Sequence, residues 1–222
     1  MLINKCFMRT LMTTLAGMML VVVLPQAHGG VTYQPRNPVA ANDTPEPAPI
    51  IEQKLNFYDF TLKTASGQSF NLRDYAAGKR MTIVAYVAGW CPNSNQNGHV
   101  IKRLYDKYRE RGLGVVVVTE YSDADEVRIH VNRIGIDYPV AIETRSRGDR
   151  KKSQHYKYRN AIGDRRKWGT PFYVIIPARD IQPAAQKAPL ASHVYTVSGE
   201  MVESEAEKFI EQQLGEPVGV VR

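Results

Sequence analysis

Residues 81–112 read MTIVAYVAGWCPNSNQNGHVIKRLYDKYRERG. The opening run, Met81 to Gly89, is apolar and rich in β-branched residues, the composition of a strand buried on both faces. From Ser94 to Arg111 the period changes. Val100, Ile101, Leu104, Tyr105 and Tyr108 fall on one helical face, and Gly112 is a stop signal. Cys91 lies at the junction of strand and helix. There it faces backbone N–H groups without intrahelical partners and the positive end of the macrodipole, and both favour the thiolate, the attacking form of a cysteine. Pro92 fits the first helical turn because its missing N–H would have had no partner. Ser94 is placed to donate a hydroxyl hydrogen bond to the sulfur.

Outward from this stretch the elements alternate. FYDFTLKT and SFNL flank the turn ASGQ and predict an N-terminal β-hairpin. LGVVVVTE is a second buried strand. Asp123 followed three residues later by Glu126 is a capping box, which opens a helix with Val127, Val131 and Ile134 inward and a stop at Gly135. YPVAIE reads as a short strand and TPFYVIIP as a third buried strand. SHVYTVSGEMVES reads as a final hairpin arm around Ser198-Gly199, and Ser204 to Leu214 as a capped amphipathic helix. Strands separated by helices predict an α/β fold: one mixed central sheet with helices on both faces.

A chain of 222 residues, 43% hydrophobic and 23% charged, accommodates one well-cored domain with extensions. Residues 1–29 differ from the rest. Lys5 and Arg9 precede an apolar run from Leu11 to Leu24, followed by Pro25 and QAHGG, the order of a secretory signal peptide. The run is 14 residues, whereas spanning a bilayer takes about 20, so export with cleavage is favoured over an N-terminal membrane anchor. Residues 30–50 are rich in proline, alanine and asparagine and read as an extended linker. A domain over residues 51–215 and a short tail, 216–222, complete the chain. Cys6 leaves with the signal, so the mature protein keeps one cysteine, Cys91, and an internal disulfide is excluded.

The element order, with Trp90-Cys91-Pro92 after the first buried strand and Gly169-Thr170-Pro171 before the third, resembles the periplasmic thioredoxin-like redoxins of the TlpA type, relatives of AhpC/TSA. The matching pieces are FTLKTASGQSFNLRDYAAGKRMTIVAYVAGWCP, LYDKYRERGLGVVVVTEY, GIDYPVAIE and WGTPFYVIIP. This resemblance implies a thioredoxin fold in which Cys91 is the nucleophilic, more exposed thiol at the start of the first long helix. It also implies a cis Thr170–Pro171 bond against that thiol, in a loop that offers its backbone to an extended substrate. Ser94 and Pro171 join Cys91 as expected catalytic positions, and Trp90, Pro92 and Thr170 are the expected substrate-facing ones. Cofactors are not expected.

The departures from that family limit the chemistry. The resolving cysteine is replaced by Ser94, so CxxC has become CxxS. The buried acid of thioredoxins, six residues before the cysteine, is Ala85, and the glutamate of TlpA-type relatives is Asn97, followed by Gly98. His99 is the nearest titratable residue in sequence and reads as a solvated surface histidine. A lone thiol can form a mixed disulfide but cannot release it by internal attack. The leading reading is therefore an oxidoreductase that acts on disulfide-containing or thiol proteins and is completed by an external thiol reductant. A non-catalytic binding module that keeps only the groove is the alternative. Peroxide reduction is the least supported, since Ala88 stands where peroxiredoxins place a threonine. Copper delivery would need a second thiolate or a His and Met cluster beside Cys91. No metal site is expected.

Residues 144–167, TRSRGDRKKSQHYKYRNAIGDRRK, carry ten Lys or Arg and two Asp, a net +8. The whole chain is +7, so everything else sums to −1. A basic insert beside a thiol groove suits an acidic partner. The interleaved aromatics His155, Tyr156, Tyr158 and Trp168 would also suit nucleic acid, but export argues against it. The plainer reading is a solvated basic helix over Lys151 to Arg166, with Tyr156, Tyr158 or Ile162 packing on the domain.

Overall fold

The strand read from MTIVAYV, β5 (Met81–Val87), lies at the centre of an eight-stranded mixed sheet in a computed structural model that describes residues 44–215. The expected signal peptide, the first part of the proline-rich linker and the tail after Gly215 lie outside the described residues. All seven residues of β5 are buried, which is why its sequence lacks a polar face. It pairs in parallel with β6 (Leu113–Thr119), from Met81 opposite Leu113 to Val87 opposite Thr119, and antiparallel with β8 (Phe172–Pro177). Beyond β6 lie β7 (Val140–Ile142) and then the predicted hairpin, β3 (Thr61–Thr64) with β4 (Ser69–Asn71). Beyond β8 lie β9 (Ala191–Val197) and β2 (Ile51–Phe57).

Alternation along β5 divides the core in two. Ile83, Ala85 and Val87 face the long helix α2 (Pro92–Tyr108) through Ile101, Leu104 and Tyr108, and α5 (Glu203–Leu214) through Ala206, Ile210 and Leu214. Val84 and Tyr86 face Leu55, Phe57, the short helix α1 (Leu72–Ala76) through Leu72, and α4 (Gln154–Ala161) through Tyr158. Helices therefore cover both faces, as the element order predicts. Each fully buried Leu, Ile or Val contributes about 1.5–3 kcal/mol of apolar burial, and with no disulfide among the described residues this core carries their stability.

The capping box closes as read: Asp123 accepts from the Glu126 N–H, and the Glu126 carboxylate accepts from the Asp123 N–H, opening α3 (Ala124–Ile134). Gly135 ends it at φ 71°. Gly98 sets how closely α3 approaches α2, since a Cβ there would lie 2.3 Å from Ile134 Cδ1.

Three local expectations are corrected. Ser198-Gly199 does not turn a hairpin: β10 (Glu200–Met201) pairs in parallel with β1 (Pro47–Ala48), forming a separate two-stranded sheet. The chain thus joins the domain before Ile50, and Ala48 and Ile50 pack on the core. The last helix begins at Glu203 after Val202 and has no side-chain cap, so Ser204 does not cap it. The basic segment is not one solvated helix. A 3-10 turn over Arg147–Lys152 precedes the eight-residue α4, whose His155, Tyr158 and Arg159 are all buried.

Candidate thiol site

Cys91 is the N-cap of α2, in an extended conformation, with Pro92 as the first helical residue. The turn that delivers it from β5 is fixed on several sides. The Gly89 N–H donates to Ser122 Oγ at 2.8 Å, and the Cys91 N–H donates to the Ala88 carbonyl at 2.9 Å. Gly89 must lack a side chain, because a Cβ would come within 2.4 Å of the Glu126 carbonyl oxygen. Asn95, one turn into α2, donates its amide to the carbonyls of Gly89 and Cys91 at 2.9 and 3.0 Å. Its Oδ1 is then free to accept, and His130 Nδ1 on α3 donates to it at 2.9 Å. Burial, and then the charges of Arg133 and His99, push the His130 imidazolium down to about 4, so the ring is neutral at ordinary pH. His130 escaped the sequence reading although it lies on the same inward stripe of α3 as Val127 and Ile134.

The loop before β8 approaches from the other side. The Thr170–Pro171 bond is cis, and Cys91 Sγ donates to the Thr170 carbonyl at 3.4 Å. The thiol and the proline loop, 79 residues apart, are thus brought together. Two expectations change. Cys91 is only 6% exposed, a buried thiol and not an open one. Ser94 does not bond to the sulfur; its fully buried hydroxyl accepts the Ala88 N–H at 3.4 Å and so helps to hold the turn. Pro92 is half-buried on the rim, and Thr170 Oγ1 is buried with no hydrogen-bond partner among the described residues.

Ala85 and Asn97, the positions at which the family resemblance would put acids, are structural. Ala85 is buried in the core. Asn97 accepts from the Tyr173 hydroxyl at 2.6 Å and the Met201 N–H at 2.8 Å, and donates to the Met201 carbonyl at 2.9 Å, tying α2 to β8 and β10. His99 is exposed, as a solvated surface histidine would be.

The basic insert folds onto the proline loop. His155 Nε2 donates to the Gly169 carbonyl at 3.1 Å, so Nδ1 accepts from the Tyr121 hydroxyl at 3.0 Å, and the ring stacks on Tyr86 at 5.1 Å. Full burial, and secondly Arg159, hold the ring neutral, well below the usual histidine range. Arg159, 1% exposed, lies against Gly169, where φ is +65° and any Cβ would overlap the guanidinium. It donates to the Arg166 carbonyl at 3.0 Å and pairs with Asp164 at 3.5 Å. Burial alone would raise Asp164, but the Arg166 hydrogen bond and charge together outweigh it and keep the carboxyl ionised. Arg166 also donates to the Gly169 and Pro171 carbonyls at 3.4 and 3.3 Å. Tyr158 packs on the domain as read, but His155, Arg159 and Asp164 were not legible, since α4 has no apolar stripe to reveal its inner face.

The proline-rich leader reaches the site as well. Asn93 donates to the Thr44 carbonyl at 3.1 Å, and Glu46 pairs with Arg166 at 3.1 Å. Trp90 is half-buried. Its Nε1 donates to the Tyr121 carbonyl at 3.1 Å, and its ring meets Trp168 edge to face at 5.3 Å.

The sequence model of the Redoxin family matches residues 52–181. A probable phospholipid hydroperoxide glutathione peroxidase of Citrus sinensis is 24% identical over 136 residues, 56% of this chain and 80% of that protein. The thiol-disulfide oxidoreductase ResA of Halalkalibacterium halodurans is 27% identical over 92 residues, 41% of this chain and 49% of that protein. In fold the chain is similar to the thioredoxin domain of a Bacteroides vulgatus thiol-disulfide oxidoreductase, with a TM-score of 0.52 at 12% identity, covering 73% of this chain and 99% of that one. A thioredoxin-family thiol:disulfide interchange protein of Chlorobium tepidum gives 0.50 at 18% identity, covering 73% of this chain and 98% of that one. The matched region spans more than half of the chain and includes both the Cys91 turn and the cis-proline loop, and the chain belongs to the Redoxin family.

Proposed function

We propose that the protein is an exported thiol-disulfide oxidoreductase with a single-thiol CxxS site. The observation that carries this reading is the position of Cys91: an N-capping cysteine at a helix N-terminus, its sulfur 3.4 Å from the carbonyl of the residue before a cis-proline. The Cys91 thiolate attacks one sulfur of a partner disulfide. A Cys91–partner disulfide forms, and the partner's other sulfur leaves as a thiolate. Ser94 cannot repeat the attack. An external thiolate must attack the mixed disulfide, regenerating Cys91 and carrying the partner away as a new disulfide. The half-buried Trp90 and Pro92 form the rim that the partner meets, with the Thr170–Pro171 backbone behind it.

The test is covalent capture. Purified protein is incubated with oxidised extracytoplasmic extract, quenched with acid and run without reductant. The expected result is partner adducts that are absent in Cys91→Ala and released by an added thiol. No adduct, together with a biological effect that survives Cys91→Ala, would establish the alternative of a binding module. The peroxidase-named relatives favour a second reading, in which Cys91 is oxidised to a sulfenic acid while the peroxide is reduced to an alcohol. Thiol-dependent peroxide consumption without protein adducts would replace the first reading by that one.

A further inference from the structure

Beside Cys91, two indoles from the two segments that build the site meet. Trp90 immediately precedes the thiol, and Trp168 immediately precedes Gly169 and the cis-proline loop; their ring centroids are 5.3 Å apart at 80°. Each carries cations from the basic insert. The Arg147 guanidinium lies 4.8 Å from the Trp90 centroid, and Arg150 and Lys167 lie 5.6 and 5.5 Å from that of Trp168. These contacts hold the cations at the thiol rim instead of leaving them on free tethers. Arg147 is matched by Glu126 at 2.6 Å. Arg150 spends one donor on the Lys167 carbonyl, and among the described residues neither Arg150 nor Lys167 has a carboxylate within 4.0 Å.

The surplus extends along the insert. Of its ten cations, Arg147, Lys152, Arg159 and Arg166 are paired with Glu126, Asp149, Asp164 and Glu46. Arg145, Lys151, Lys157 and Arg165 are exposed and, like Arg150 and Lys167, have no carboxylate partner among the described residues. We propose that the Trp90–Trp168 rim with Arg150 and Lys167 is a docking surface for an acidic polypeptide segment of the protein whose sulfur Cys91 engages. This rests on the thiol reading above and names the partner's chemistry. A nucleic acid or an anionic membrane would also answer the charge, but neither brings a disulfide to a thiol whose rim this is. The two indoles are half-buried against each other, and the exposed large hydrophobics Ile51 and Tyr58 belong to other segments, so the rim has no apolar wedge for a bilayer.

The experiment uses two cysteine peptides of equal length, flanked by Asp and Glu or by Lys, each activated as a 2-pyridyl disulfide. Attack by Cys91 joins its sulfur to the peptide sulfur and releases pyridine-2-thione, whose absorbance gives the rate. The acidic peptide is expected to react about tenfold faster at low salt. The advantage should collapse at about 0.5 M salt, where screening is nearly complete. Arg150→Glu with Lys167→Glu should reverse the preference. Equal rates for the two peptides, or a preference that salt leaves intact, overturn the proposal. Docking is read separately from chemistry by titrating tryptophan fluorescence with a cysteine-free acidic peptide. If neither activated peptide reacts but this titration shows salt-sensitive saturation, the thiol reading fails and the docking surface stands. If the titration is flat while phosphatidylglycerol vesicles bind, the surface is a membrane patch and the proposal fails.

Discussion

Asn93, two residues beyond the thiol, donates its side-chain amide to the Thr44 carbonyl at 3.1 Å and so fastens the proline-rich leader to the mouth of the Cys91 site. Glu46 makes a second attachment through Arg166, which in turn holds the Gly169 and Pro171 carbonyls. The leader therefore touches both walls of the site, the cysteine helix and the proline loop.

Loosening that strap should uncover the thiol. The Glu46–Arg166 pair is partly exposed and contributes about 1 kcal/mol or less, and the Asn93 bond contributes about as much. Glu46→Gln combined with Asn93→Ala is expected to speed alkylation of Cys91 by iodoacetamide severalfold while costing the domain no more than about 2 kcal/mol of stability. An unchanged alkylation rate would show that the leader does not limit access.

Ser94→Cys tests what the serine removed. The residue lies three positions along α2 from Cys91, where a second thiol can attack a mixed disulfide. The variant should release captured partners without added reductant, so adducts that persist on non-reducing gels in the parent protein should vanish. Because Ser94 Oγ accepts the Ala88 N–H, the substitution also removes a buried hydrogen bond and should cost about 1 kcal/mol of stability.

Asn97 is a clamp. Asn97→Ala breaks three hydrogen bonds and leaves the buried Tyr173 hydroxyl and the Met201 backbone without partners. A loss of about 2–4 kcal/mol is expected, read as a lower urea midpoint. A loss below about 0.5 kcal/mol would mean that water or rearrangement satisfies those groups.

Acid should weaken the fold through His130. Its native value is about 4 against the usual 6.5, so between these values the unfolded chain binds the proton and the native protein does not. Stability from this group is therefore present above about pH 6.5 and is lost as pH falls toward 4, by about 3 kcal/mol in total. His155, also held low by burial, acts in the same direction. Urea unfolding across pH 7 to pH 4 should show this slope, and His130→Gln should flatten it. An unaltered slope in that variant would remove His130 from the account.

Period and composition determined much of this protein without any coordinates. The unbroken apolar run of β5 and the capping box of α3 are local signals for the sheet and its helices, while the two walls of the thiol site, Trp90-Cys91-Pro92 and Thr170-Pro171, were expected to meet only through the family resemblance. Tertiary structure decided the rest, because it depends on contacts between residues far apart in the chain. It buried Cys91 against Thr170, turned Ser94 toward Ala88, used Asn97 as a clamp and paired β10 with β1. It also drew His155 and Arg159 inside a segment whose composition reads as surface. A buried polar side chain is stabilised by partners, not by periodicity, and those partners, Tyr121, Gly169 and Asp164, lie on other turns of the chain.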